Sequence, residues 1–205
     1  MQNKIKFKGT VITGVVAVEC MRHIFFLSMV DLQKGERYIL YTLSKFSVSE
    51  ISHRYANADF VLAYFLRRFL IWQSLEAFKY FTRILATYDV ACQYFVNLRS
   101  RFEANFIDLA DVVDLIYLLV PKKHLDGHKV DCRYRFSLNY TEGVGRGHGE
   151  GIEASWAESK QSGGSTRQMN HGHRHDTIND FHNYWNWNKL RGLGMWVWFM
   201  NLSGA

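Results

Sequence analysis

Over its first 121 residues the chain alternates short apolar runs with longer segments of helical period, and this constrains its fold more than any other feature. Residues 10–20 (TVITGVVAVEC) and 23–32 (HIFFLSMVDL) are brief and rich in branched or aromatic side chains, the composition of half-buried strands. Residues 57–72 (NADFVLAYFLRRFLIW) repeat apolar positions at steps of three and four. They read as a buried helix that presents Phe60, Ala63, Tyr64, Leu66 and Phe69, with Asn57 or Asp59 at its cap. Residues 83–88 read as a strand, the stretch after Asp89 as a helix, and LIYLLVP (115–121) as a second buried strand stopped by Pro121, the only proline. The order strand pair, helix, strand ending in an acid, helix, strand is that of an α/β fold.

At 205 residues, 48% hydrophobic, the chain is long and apolar enough for one domain with a substantial core, and a disordered chain is excluded. No stretch marks a linker, so residues 1–205 read as a single domain. Its character changes at Pro121: eight of the fifteen glycines lie between 143 and 172 and five of the six tryptophans follow residue 155, which sets off 121–195 as a His-, Gly- and Trp-rich part. The net charge of +6 favours polyanionic partners. Three widely spaced cysteines, Cys20, Cys92 and Cys132, do not make a secreted disulfide framework and fit a reducing compartment. The amino-terminal decapeptide is polar and basic, unlike a secretory signal. The apolar run Ile12 to Cys20 is too short to span a bilayer, so the chain reads as soluble and intracellular.

Several residues carry chemistry. Asp89, just past a strand, either caps the following helix or stands at the sheet edge where α/β folds hold ligands. GVGRGHGEGIEASWAE (143–158) offers a flexible loop feeding a helix with Glu150, Glu153 and Glu158; Glu150 and Glu153, three apart, share a face. Carboxylates from two distant segments suit hard divalent ions in phosphoryl transfer, while a first-turn glutamate also simply favours the helix dipole. His124, His128 and Cys132 recur at steps of four and would line one face of a helix, as zinc ligands or as hydrogen-bonded structural groups; Gly127 argues against that helix. In HGHRHDTINDFHNYWNW (171–187) and its flanks, Arg167, Arg174 and Lys189 are suited to phosphate. Trp185 or Trp187 could stack on a base or pack in the core.

Nine segments in order resemble the KDZ (Kyakuja-Dileera-Zisupton) transposases abundant in fungal genomes. These are GVVAVECMRH, DLQKGER, YANADF, YDVACQY, PKKH to DC, RFSLNYTEGVGR, GEGIEASWAE, STRQM and GHRHDTINDFHNYWNWNKL. The resemblance implies an incomplete ribonuclease H-like (DDE transposase) core with a helical C-terminal part. It implies Mg²⁺ or Mn²⁺ as cofactor, DNA as partner, a nuclear location, room for a homo-oligomer and no membrane. By the resemblance Asp89 is the second acid and Glu153 the final one, with Glu150 in reserve, and these acids would hold the metal. His124, His128 and Cys132 fall in a polar cluster of the family, structural or zinc-binding.

The chain departs from the family's pattern in places. The family's first acid lies upstream of GVVAVEC, where this sequence has not yet begun, so the expectation is a truncated fragment, inactive alone. Ala154 replaces an arginine, His148 an aspartate and Asn188 an arginine. Residues 38–53 interrupt the KGER and YANADF pieces between Arg37 and Arg54 and read as an insertion. The alternative function is a non-catalytic nucleic-acid- or zinc-binding module on the same scaffold.

Overall fold

The short apolar runs become strands and the helical-period segments become helices, so a mixed α/β chain emerges. The computed structural model describes residues 12, 14–32, 55–73 and 83–202, with side chains except at 72–73 and 195–202. Strand β1 (Gly14–Glu19) pairs with β2 (Phe26–Leu32). The turn between them is closed by the Cys20 N–H on the Phe25 carbonyl (2.9 Å) and the Ile24 N–H on the Cys20 carbonyl (2.7 Å). Helix α1 (Ala56–Gln73) follows, then β3 (Ile84–Thr87) and β4 (Ile116–Leu119), which run parallel with Ile84 opposite Ile116 and Thr87 opposite Leu119. A parallel pair needs a long crossover. Helices α2 (Ala91–Tyr94) and α3 (Leu98–Asn105) and two 3₁₀ turns supply it. Beyond Pro121 come α4 (Val130–Arg135), α5 (Gly151–Thr166) and α6 (His171–Leu202).

The chain divides into two compact units, residues 1–18 with 27–120 and residues 19–26 with 121–205. In the first, Leu66, Phe102, Leu109 and Val120 are fully buried, and the Ser28 hydroxyl donates to the Val61 carbonyl (3.2 Å), tying β2 to α1. At its centre lies an ion pair. The Arg101 guanidinium donates from Nε to Asp59 Oδ2 (2.7 Å) and from Nη2 to Asp59 Oδ1 (3.1 Å), with both side chains almost wholly buried. Its remaining hydrogens reach the carbonyls of Val96 (2.8 Å) and Tyr94 (3.1 Å), and the rings of Tyr55 and Tyr94 lie within 5.0 and 4.8 Å of its carbon.

The second unit is organised around Phe26. Its ring stacks on His182 (3.7 Å between centroids) and meets Trp156 and Trp185 edge-on. The Asn186 amide clasps its backbone, accepting from the N–H (2.8 Å) and donating to the carbonyl (2.9 Å), while the Trp185 indole N–H donates to the Ile24 carbonyl (2.7 Å). Residues 19–26 are thereby fastened to α6.

Three expectations change. The buried face of α1 is Asp59, Val61, Leu62, Ala63 and Leu66, and Phe60 and Tyr64 point outward, because a buried charged pair and not the widest apolar stripe sets the helix rotation. The helix expected after Asp89 breaks in two at Asn97, which takes the left-handed conformation (φ 60°) that asparagine tolerates better than most residues. Among the described residues the strands form two separate two-stranded sheets and not one core sheet. The insertion read at 38–53 lies outside the described residues. Among those residues no helix is long and apolar enough to cross a membrane.

Candidate functional site

The segment read as carrying the final acid is shaped by its glycines. Gly143, Gly145 and Gly149 have φ of 82°, 63° and 76°, values that strain any residue with a Cβ, so the chain turns three times before α5 begins. Glu150 occupies the cap position of α5, yet its carboxylate does not fold back on the helix. Its Oε1 accepts the backbone N–H of Lys123 (2.7 Å), while its own N–H donates to His148 Nδ1 (3.0 Å). The Lys122 N–H donates to the His148 carbonyl (3.1 Å). These bonds lay residues 122–124 along residues 148–150.

Glu153, in the first turn of α5, receives the Lys123 ammonium at Oε2 (3.2 Å) and has Oε1 4.0 Å from His124 Nε2. As a result His124, Glu150 and Glu153 each offer a ligand atom within 4.8 Å of the other two. The two carboxylates expected to share a helix face do converge, and they converge on a histidine.

That histidine was read with His128 and Cys132. The steps of four do not make one helical face here, since residues 125–127 form a 3₁₀ turn, His128 is extended (φ −97°, ψ 161°) and only Cys132, half-buried, lies in α4. His128 and Cys132 nevertheless offer ligand atoms within 4.8 Å of each other, and His124 is the member that parts from them. Gly127 lowers helix propensity at the centre of the run, and the extended Lys129 (φ −58°, ψ 153°) resets the direction before α4.

Asp89 lies two residues past the end of β3 and is half-buried. The Tyr88 N–H still bonds the Leu119 carbonyl (2.9 Å), so Asp89 sits where the parallel pair ends. The cap position of α2 is held by Val90, whose side chain has no polar atom, and Asp89 stands immediately before it. Asp89 belongs to the first unit; Glu150 and Glu153 belong to the second.

The cations read as phosphate contacts differ in surroundings. Arg167 is exposed at the end of α5 and Arg174 is half-buried in the first turn of α6. Lys189 Nζ lies 4.7 Å over the Trp185 ring. Trp185 is therefore a packing residue, while Trp187 is exposed.

A half-buried carboxylate has no counterpart among the residues singled out from the sequence. Glu19 accepts the Ser155 hydroxyl at both oxygens (2.7 and 2.8 Å). Burial pushes its carboxyl up to about 7, against the Ser155 hydrogen bond and the Lys189 charge, which pull it down. Burial alone pushes His182 down to about 4. An acid at the end of the apolar run GVVAVE was the available signal, but its serine partner is 136 residues away.

No curated protein and no solved structure matches the chain. A family model described as Kyakuja-Dileera-Zisupton transposase matches residues 1–186, a span that takes in Asp89, His124, Glu150 and Glu153. On that match over most of its length, the chain belongs to the Kyakuja-Dileera-Zisupton transposase family.

Proposed function

We propose that this transposase-derived chain is a partial ribonuclease H-like core that engages DNA through a weak, salt-sensitive contact and does not cut it alone. The observation that carries this reading is the family match, which spans both acid-bearing segments. Asp89 at the exit of a parallel strand and Glu153 in the first turn of α5 suit the roles of second and final acid, with Glu150 in reserve. In phosphoryl transfer, divalent ions held by carboxylates stabilise the attacking and leaving oxygens. The donor set fits in part: Glu150 and Glu153 offer carboxylate oxygens at the start of α5, while the Lys123 ammonium pairs with Glu153. Two acids are fewer than a bridged ion pair requires, which favours binding without cleavage. Such a chain would work in the nucleus, on DNA, singly or as a homo-oligomer.

DNA affinity should fall steeply as salt rises from 50 to 200 mM, as counterion release requires. Arg167→Ala and Arg174→Ala should each reduce the log–log salt slope by about 1. Lys189→Ala should likewise reduce it. Fluorescence anisotropy with a labelled duplex measures all three. Affinity independent of salt would rule out the DNA contact.

A further inference from the structure

We propose that His124, Glu150 and Glu153 form a self-contained site for one divalent transition-metal ion, with Mn²⁺ or Zn²⁺ preferred to Mg²⁺. The site deepens the functional reading above by naming an ion and a nitrogen ligand for the final-acid segment, but ion binding here requires no cleavage. All three residues lie in the second unit, so the site is complete within it.

The geometry supplies three donors from two segments that one backbone bond and one bond to the Glu150 carboxylate already hold side by side. Lys122 N–H on the His148 carbonyl and Lys123 N–H on Glu150 fix residues 122–124, and with them the root of His124, against the start of α5. Ligand atoms within 4.8 Å of one another must close to about 3.3 Å to share an ion with bonds of about 2.1 Å. About half of the His124 and Glu153 side-chain surface is exposed, which leaves both side chains room to rotate towards a shared ion, while Glu150 keeps its second oxygen for it beside the bond from the Lys123 N–H. The charge now occupying the site is the Lys123 ammonium, itself largely exposed, and an exposed pair of this kind is readily displaced.

The donor set decides the ion. Mg²⁺ takes oxygen ligands and keeps its waters, whereas an imidazole nitrogen beside two carboxylates suits zinc and the first-row transition metals. His124 Nε2, 4.0 Å from Glu153 Oε1, is the nitrogen that would make the difference.

The test is titration of the full, chelator-stripped chain with Mn²⁺, followed by calorimetry and by electron spin-echo spectroscopy. One Mn²⁺ per chain with ¹⁴N modulation from an imidazole is the expected result, with Mg²⁺ at least about tenfold weaker. His124→Gln should abolish the modulation, and Glu150→Gln and Glu153→Gln should each weaken binding about tenfold. Lys123→Gln removes the competing cation and should tighten binding several-fold; it keeps the proposal testable should a glutamate variant misfold. A His173→Gln/His175→Gln chain should retain the modulation, which separates this site from the histidines of α6. Modulation that survives His124→Gln, or is lost from the His173/His175 variant, would overturn the site. So would unchanged affinity in both glutamate variants, or in Lys123→Gln. Ion binding together with DNA cutting would sink the non-cutting reading and leave the site standing; no ion and no cutting would do the reverse.

Discussion

Arg101→Ala is expected to destabilise the first unit by about 3–5 kcal/mol, because it leaves the Asp59 carboxylate buried without a counter-charge. The guanidinium makes two hydrogen bonds to Asp59 and one each to the carbonyls of Val96 and Tyr94, so its loss strands three acceptors inside the unit. Arg101→Lys should recover only part of the loss: one ammonium keeps the charge but cannot reproduce the fork that reaches all of these partners. Asp59→Leu in the Arg101→Met background should recover more than Arg101→Lys does, since replacing both partners removes the unpaired charge. Chemical denaturation followed by circular dichroism measures the differences. A cost below about 1 kcal/mol for Arg101→Ala would mean that the pair is not buried as described.

Glu19 and His182 should give the second unit opposing pH dependences. The Glu19 carboxyl, raised from 4.5 to about 7, contributes stability that is fully present below pH 4.5 and is lost as pH rises through 7. His182, lowered from 6.5 to about 4, contributes stability present above pH 6.5 and lost as pH falls through 4. The two largely cancel between these limits, so the parent's profile should be shallow. Glu19→Gln should unmask a stability that rises with pH from 4 to 6.5, and His182→Asn one that falls from 4.5 to 7. Each change should be on the order of 1–2 kcal/mol once solvent screening of these partly exposed groups is allowed for. Denaturation followed by tryptophan fluorescence reports on this unit through Trp156 and Trp185, both packed on Phe26. Identical pH profiles for parent and variants would refute the opposition.

Local signals made the strands legible. β-Branched runs gave β1 and β2, and the lone proline ended the apolar run that forms β4. The start of α5 was equally plain, because the glycines that must turn and the glutamates that follow are adjacent in sequence. Asp59 was not legible as a buried partner: a first-turn aspartate reads as a cap, and the arginine that claims it lies 42 residues on. His124 shows the opposite failure. Its spacing to His128 and Cys132 suggested a common face, but a regular spacing has meaning only on a continuous helix, and residues 125–129 are not one. Its encounter with Glu150 and Glu153 depends on hydrogen bonds between residues 122–124 and 148–150, which no periodicity encodes.

In the proposed role, Asp89 and Glu153 would align two ions for phosphoryl transfer only together with a further bridging carboxylate. Removing a bridging ligand from a two-ion site takes away alignment of the attacking water and charge stabilisation together. The direct test incubates purified chain with supercoiled plasmid and Mn²⁺, beside an Asp89→Ala/Glu153→Ala chain. Both are expected to leave the plasmid equally supercoiled; nicking by the parent and not by the double variant would show that the chain cuts DNA through these acids.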